Sequence, residues 1–201
     1  MDVSSYLSES LYVYLKDLSD KKMVPGGGSA AALVASVGAA LNMMVLNYSI
    51  KKDNASKNED LIVLKARQDK ILETLVKIID EDCIAFEELM SVLKDGADAE
   101  DKYKRAAGVP MRICRESCSC MEIALFLVEA GNKNLITDVG CAVHMLEGAF
   151  FSALYNVRVN LKYIKDNAFK AGYETELGEM SKMVKGSLSE IEQKLDAALR
   201  I

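Results

Sequence analysis

The sequence predicts an all-α protein, a bundle of long helices around a buried central helix rich in small residues. Three observations carry this. Apolar residues recur at three- and four-residue spacing almost throughout, and no two-residue alternation marks a strand. Only two prolines occur in 201 residues, a poverty that long uninterrupted helices tolerate better than a loop-rich fold does. From Met23 to Ile50 no side chain is charged, although both flanks are densely charged.

The pattern places a first helix from Ser4 or Ser5 to Leu18, ending before the charged "SDKK". A second starts at the glycines of "VPGGGS" and runs to about Lys51. A third covers Asn58 to Leu93, with Leu61, Leu64, Ile71, Leu75, Ile78, Ile79, Phe86, Leu89 and Met90 as its apolar stripe. The segment Lys94 to Gly108 is then a polar connection, with room for a short helix in its second half. Gly108 stops that segment, and Pro110 suits the first turn of a fourth helix that runs to about Ala130. "GNKN" breaks the pattern. Thr137 can cap a fifth helix from Asp138 to about Ile164, with Asp138 as a favourable first-turn acid. The last helix, Glu174 to Leu199, sets Leu177, Met180, Val184, Leu188, Ile191, Leu195 and Ala198 at the spacing of a bundle seam. No repeat or low-complexity linker interrupts the chain, so residues 1–201 read as one domain.

Composition narrows the function classes. Half of the residues are apolar and 27% charged, which excludes a disordered chain. The net charge of -5, without a clustered basic face, argues against nucleic acid as a partner. "MDVSSYLSESLYVYL" has no basic start and does not read as a signal peptide. With five cysteines and no export signal, a cytoplasmic, reducing setting is expected. Cys114, Cys118 and Cys120 read as small buried thiols rather than zinc ligands, because His144, the only histidine, stands isolated in an apolar stretch and reads as a packed core residue.

The charge-free helix is long enough to span a bilayer. Its small residues argue for burial instead: Gly28, Ala32, Ser36 and Ala40 recur every fourth position, as do Ala31, Ala35 and Ala39, and such stripes admit close helix neighbours. Asn42, Asn47, Tyr48 and Ser49 suit lipid poorly, and lysine pairs flank both ends. No membrane partner is therefore expected. A helix apolar all round needs neighbours on every side, and a second subunit is one way to supply them. The three glycines exceed what a turn requires. They either open a helix N-terminus for an anion, with Pro25, Gly26, Gly27, Gly28 and Ser29 around free N–H groups, or serve as a tight helix entry.

"VPGGGSAAALVASVGAALNMMV" resembles the opening of the cyclodeaminase domain of the formiminotransferase-cyclodeaminase family, which includes stand-alone methenyltetrahydrofolate cyclohydrolases. "DEDCIAFEELM" is similar to the family's acidic helix segment, "VPMRI" to its Val-Pro helix start, "GNKNLITDVGCA" to its Asn-rich turn and "NVRVNLKYIKDNAF" to its Asn-Val-Arg segment. The resemblance implies an all-helical homodimer acting on a tetrahydrofolate derivative, with no metal and no cofactor beyond the one-carbon substrate. The stretch before Val109 is shorter than the family's, so the lysine that the family carries there is Lys94, Lys102 or Lys104 or is absent, and its role is unassigned.

The implied reaction converts 5-formiminotetrahydrofolate to 5,10-methenyltetrahydrofolate and ammonia. The alternatives are hydrolysis of the methenyl compound to 10-formyltetrahydrofolate, and a non-catalytic helical dimer that binds folate or a protein. Ring closure needs a group that moves protons between nitrogens, and a carboxylate raised towards neutral pH by burial can do that. Asp82, one turn before Phe86 and beside the apolar stripe, is the first candidate; Asp80 and Glu81 point elsewhere. Asp138 is the second, as a catalytic acid or as an acceptor for the pterin's N–H-rich edge. Gly140 lets a ligand or helix come close, and Asn132 belongs to the same turn. Asn156, Arg158 and Asn160 are polar residues on an apolar helix; Arg158 suits a folate carboxylate or an acid across a subunit interface.

Overall fold

A computed structural model describes residues 5–51 and 58–199. It has six α-helices, α1 (Leu11–Leu18), α2 (Gly27–Ser49), α3 (Glu59–Lys94), α4 (Glu100–Ala130), α5 (Ile136–Leu161) and α6 (Asn167–Leu199), and no strand among the described residues. One apolar core draws on all six. α2 packs against α3, α4 and α5, and α6 closes the far side against α4 and α5.

The small residues of α2 set the spacing. Ala31, Ala32, Ala35 and Ala39 are each at most 2% exposed, and a Cβ at Gly38 would meet Leu146 at 2.9 Å and the Ala142 carbonyl at 3.1 Å. The two helices run antiparallel: Gly27 faces Asn156, and at the other end the Asn132 N–H donates to Ser49 Oγ at 2.8 Å. Two buried amides tie α2 to its neighbours, Asn42 donating to the Cys120 carbonyl and Gln68 to the Ala39 carbonyl, each at 2.9 Å. Both α2 and the stretch Lys133–Leu161 have the length and apolarity of a bilayer span, yet 61% of the most apolar window of α2 is buried within this chain. Its burial is not all round, however. Val34, Val37 and Ala40 lie exposed on one side.

Several expected boundaries move. The first helix is shorter, Leu11–Leu18, with Ser10 accepting from the Val13 N–H, and a separate 3-10 turn covers Tyr6–Ser8. Gly108 does not stop a segment and Pro110 does not open a helix, because α4 runs unbroken through both. Pro110 has no N–H for the Ala106 carbonyl one turn back. Asn160 of α5 supplies the missing donor, at 3.0 Å. α5 starts at Ile136, behind a 3-10 turn at Lys133–Leu135, so Thr137 is not its cap, though Asp138 stays in the first turn. α6 starts at Asn167 rather than Glu174, since Asp166 accepts from the Phe169 N–H at 3.0 Å. His144 is no core residue; its side chain is 57% exposed and faces Glu192 at 3.7 Å. Cys83, Cys114, Cys118 and Cys120 are buried, Cys141 exposed.

The proline repair is testable by a double-mutant cycle. Asn160→Ala should lower stability by roughly 1–3 kcal/mol by stranding the Ala106 carbonyl. In a Pro110→Ala background, where residue 110 regains its N–H, the same change should cost about 1 kcal/mol less, as read by urea unfolding.

Candidate active site

The first turn of α2 ends against the side of α3. Gly26 is the N-cap, in extended backbone, and the first N–H of α2 with an intrahelical acceptor is that of Ala30, bonded to the Gly26 carbonyl at 3.0 Å. The N–H groups of Gly27, Gly28 and Ser29 therefore form the free, electropositive end of the helix. Asp82 of α3 points at that end. Its carboxylate lies so close to Gly28 that a Cβ there would overlap both oxygens, which is why this position carries no side chain.

Burial and the helix end pull the Asp82 proton in opposite directions. Desolvation raises its pKa from the ordinary 3.8 to about 6, and the Ser29 backbone N–H opposes that rise. Desolvation wins, so the group titrates where a proton shuttle is useful. Behind it, Ser29 is fully buried, and its hydroxyl pairs with that of Tyr14 at 3.0 Å. Tyr14 is the one buried residue of α1. The Cys83 thiol beside it is pushed up to about 11 by burial.

A cavity of about 230 Å³ opens in front of Asp82, lined by Met23, Val24, Gly26, Gly27, Gly28, Asp82, Ala85, Phe86, Ala106, Asn156, Val159 and Asn160. Among the described residues Asp82 is its only ionisable lining group. Asn156 stands 3.4 Å from where a Cβ on Gly27 would be, and its amide donates to the Ser152 carbonyl. Free backbone N–H groups, two carboxamides and one desolvated acid thus surround a largely apolar space. Such a site can hold a flat heterocycle and move one proton at its edge.

Of the sequence candidates, Asp82, Gly26, Gly27 and Gly28 meet at this cavity. Pro25 and Ser29 lie buried directly behind it. Asp138, Asn132 and Gly140 sit at the opposite end of the α2–α5 pair; Asp138 is 18 residues before Asn156 on one helix, or about 27 Å along its axis. There Asn132 holds Ser49 and Tyr48, and Gly140 makes room for Leu195, 3.1 Å from a Cβ built on it. Arg158 is exposed and pairs with Glu174 at 3.0 Å. Among the described residues no lysine lines the cavity: Lys102 pairs with Glu88, Lys104 with Asp166, and Lys94 ends α3. Sequence reasoning missed Tyr14, Met23, Val24, Ala85, Ala106 and Val159. Asn156 and Asn160 had a signal, two amides on an apolar helix, and Val24, Ala85 and Val159 fall inside the family-like segments; Tyr14, which backs Ser29, and Met23 and Ala106 had none, because tertiary packing alone brings them to the site.

Fold and site together define a helical-bundle protein whose cavity sets a desolvated carboxylate against a helix N-terminus. A family model described as formiminotransferase-cyclodeaminase matches residues 10–179, and the chain belongs to that family. It is 33% identical over 174 residues to a methenyltetrahydrofolate cyclohydrolase of Methylorubrum extorquens, covering 81% of this chain and 84% of that one. The formimidoyltransferase-cyclodeaminase of Sus scrofa is 28% identical over 96% of this chain, which spans 38% of that longer protein. The crystal structure of formiminotetrahydrofolate cyclodeaminase from Thermotoga maritima superposes with a TM-score of 0.91 at 27% identity, over 97% of this chain and 100% of that one.

The glycines give a graded prediction. Gly28→Ala should displace the Asp82 carboxylate and abolish ligand binding and turnover, whereas Gly27→Ala, in ordinary contact with Asn156, should leave thermal stability within a degree or two and weaken binding several-fold. Calorimetric titration with tetrahydrofolate and a thermal melt of each variant separate these effects.

Proposed function

We propose that the protein closes the one-carbon bridge of tetrahydrofolate, converting 5-formiminotetrahydrofolate to 5,10-methenyltetrahydrofolate and ammonia, with Asp82 as the proton carrier. The observation that carries this reading is the lone desolvated carboxylate of the cavity. N10 attacks the formimino carbon and a C–N10 bond forms. The N10 proton passes to Asp82 and from it to the formimino nitrogen, whose bond to carbon then breaks with the electron pair leaving on ammonia. From the protonated formimino group, the products are the methenyl cation and neutral ammonia. Exactly one proton is relayed, so one carboxylate near pKa 6 suffices. Gly26 to Gly28 hold the pterin's acceptor edge with backbone N–H groups, and Asn156 and Asn160 offer amides to its other edge. The reaction calls for no cofactor beyond the substrate.

A second reading, hydrolysis of 5,10-methenyltetrahydrofolate to 10-formyltetrahydrofolate, is favoured by the likeness to the Methylorubrum extorquens cyclohydrolase. There water adds to the methenyl carbon, the C–N5 bond opens, and of the water's two protons one ends on N5 and one in solvent. The same carboxylate takes the first. Assays with each substrate decide. Ammonia released from the formimino compound supports cyclodeamination, consumption of the methenyl compound alone supports hydrolysis, and turnover of neither contradicts both.

The exposed side of α2 and α5 supports a homodimer. Gly27, Ala30, Val34, Val37, Leu41, Met44 and Tyr48 follow one another at three- and four-residue steps, as do Asp138, Cys141, Met145, Gly148, Ser152 and Tyr155, and none of them is classed with the buried core. Two antiparallel stripes of this kind make a self-complementary face. A two-fold axis near Val37 brings the start of one α2 beside the start of the other copy's α5. In that arrangement the partner subunit's Asp138 joins Asp82 at one site, which reconciles the two acids singled out from sequence.

Asp82→Asn should lower turnover roughly 10²–10⁴-fold. Wild-type kcat/KM should fall below a pH of about 6, where the carboxylate gains its proton, and the variant's residual rate should lack that limb. The same substitution should stabilise the fold at pH 7. Asp82 titrates higher in the folded than in the unfolded chain, so its ionisation opposes folding; the penalty is absent below the unfolded value, grows as pH rises towards 6 and is complete above it. Thermal melts at pH 4 and pH 7 test the sign. Val37→Glu should halve the mass seen by sedimentation from twice 22.0 kDa and remove activity if Asp138 crosses the interface.

A further inference from the structure

Phe86 follows Asp82 by one turn of α3, so ring and carboxylate leave the helix on the same side. The sequence pattern assigns Phe86 to the buried stripe, yet it is 40% exposed, and Met23 and Val159, which line the same cavity, are 47% and 54% exposed. Three large apolar side chains, from the loop before α2, from α3 and from α5, ring one opening. Phe86 is followed directly by two acids, Glu87 and Glu88, so its exposed phenyl ring stands beside a charged surface. An exposed apolar cluster at a cavity mouth is the informative kind of exposure.

The cavity's about 230 Å³ falls short of the ~300–1,000 Å³ that encloses a whole drug-sized ligand. It takes one ring system and leaves the rest of the molecule at the mouth. On the folate reading above, which this inference rests on, N10 gives its proton to Asp82. N10 is also the aniline nitrogen of the substrate's aminobenzoyl arm, so that arm's ring lies one bond from the group that Asp82 touches.

We infer that Phe86, with Met23 and Val159 across the mouth, clamps the aminobenzoyl ring of the substrate and makes the site selective for folates over pterins that lack the arm. Offset or edge-on packing of the two rings holds the arm at one angle. The N10 lone pair is conjugated with the aminobenzoyl ring, so fixing the ring also aims the lone pair at the one-carbon unit. Phe86 is thereby a specificity residue, while Asp82 does the proton chemistry.

The test is calorimetric binding of two ligands, tetrahydrofolate and 6-methyltetrahydropterin, to the wild-type protein and to Phe86→Ala, Phe86→Tyr and Met23→Ala. Phe86→Ala should weaken tetrahydrofolate about tenfold and shift the pterin by less than about twofold. Phe86→Tyr should stay near wild type, and Met23→Ala, on a separate segment, should repeat the arm-selective loss. Equal weakening of both ligands, or unchanged tetrahydrofolate binding in Phe86→Ala, would overturn the clamp. Failure of the wild-type protein to bind either ligand would instead overturn the folate reading beneath it.

Discussion

The structure turns on the approach of the glycine end of α2 to the carboxylate of Asp82. A carboxylate at a helix N-terminus ordinarily gains from the dipole and ionises more easily. Here the surrounding apolar walls, Ala85 and Phe86 on its own helix and Val159 from α5, take away more solvation than the Ser29 N–H returns. The result is an acid held between two states, near enough to neutral pH to give and take a proton. Removing the side chain at Gly28 makes the approach possible, and Ser29, locked by Tyr14, keeps the helix end from drifting away.

That arrangement constrains the rest of the bundle. α2 must stop at one place, so its alanine face is packed closely on α5, with Gly38 against Leu146. α5 must bring Asn156 and Asn160 to the same cavity, and Asn160 does so while supplying the donor that Pro110 withholds from α4. The proline is thereby tied to the site: the carbonyl it leaves without an intrahelical donor is met by an amide that also lines the cavity. Ion pairs such as Arg158 with Glu174 and Arg115 with Glu176 lie on the surface, where such contacts contribute little.

Helix type and order were legible from apolar spacing, and the small-residue stripes correctly marked α2 as a packing helix. What escaped was set by contacts between distant segments. Gly108 and Pro110 are local stop signals, and only Asn160, 50 residues later, overrides the proline. Asp166 was a readable cap in "KDNAF", passed over because the heptad pattern of α6 becomes strong only further on. His144 and Phe86 show the limit of burial by pattern, since each lies on an apolar stretch and yet faces solvent. For the site, Asp82 and the glycines were legible because a local motif carries them. Tyr14 and Met23 were not, because nothing in their own neighbourhoods announces the surface they meet. The separation of Asp138 from Asp82 is likewise invisible in sequence and follows from the antiparallel run of α2 and α5.

The central claim is that one partly buried carboxylate is poised for proton transfer by its place between a helix end and an apolar wall. Carbon-13 NMR of the side-chain carboxyls, with Asp82 assigned by comparison with Asp82→Asn, follows that group directly through a pH titration. The account predicts a midpoint near 6 for Asp82 that moves when tetrahydrofolate is added. A midpoint at the ordinary aspartate value near 3.9, unchanged by the ligand, would contradict it.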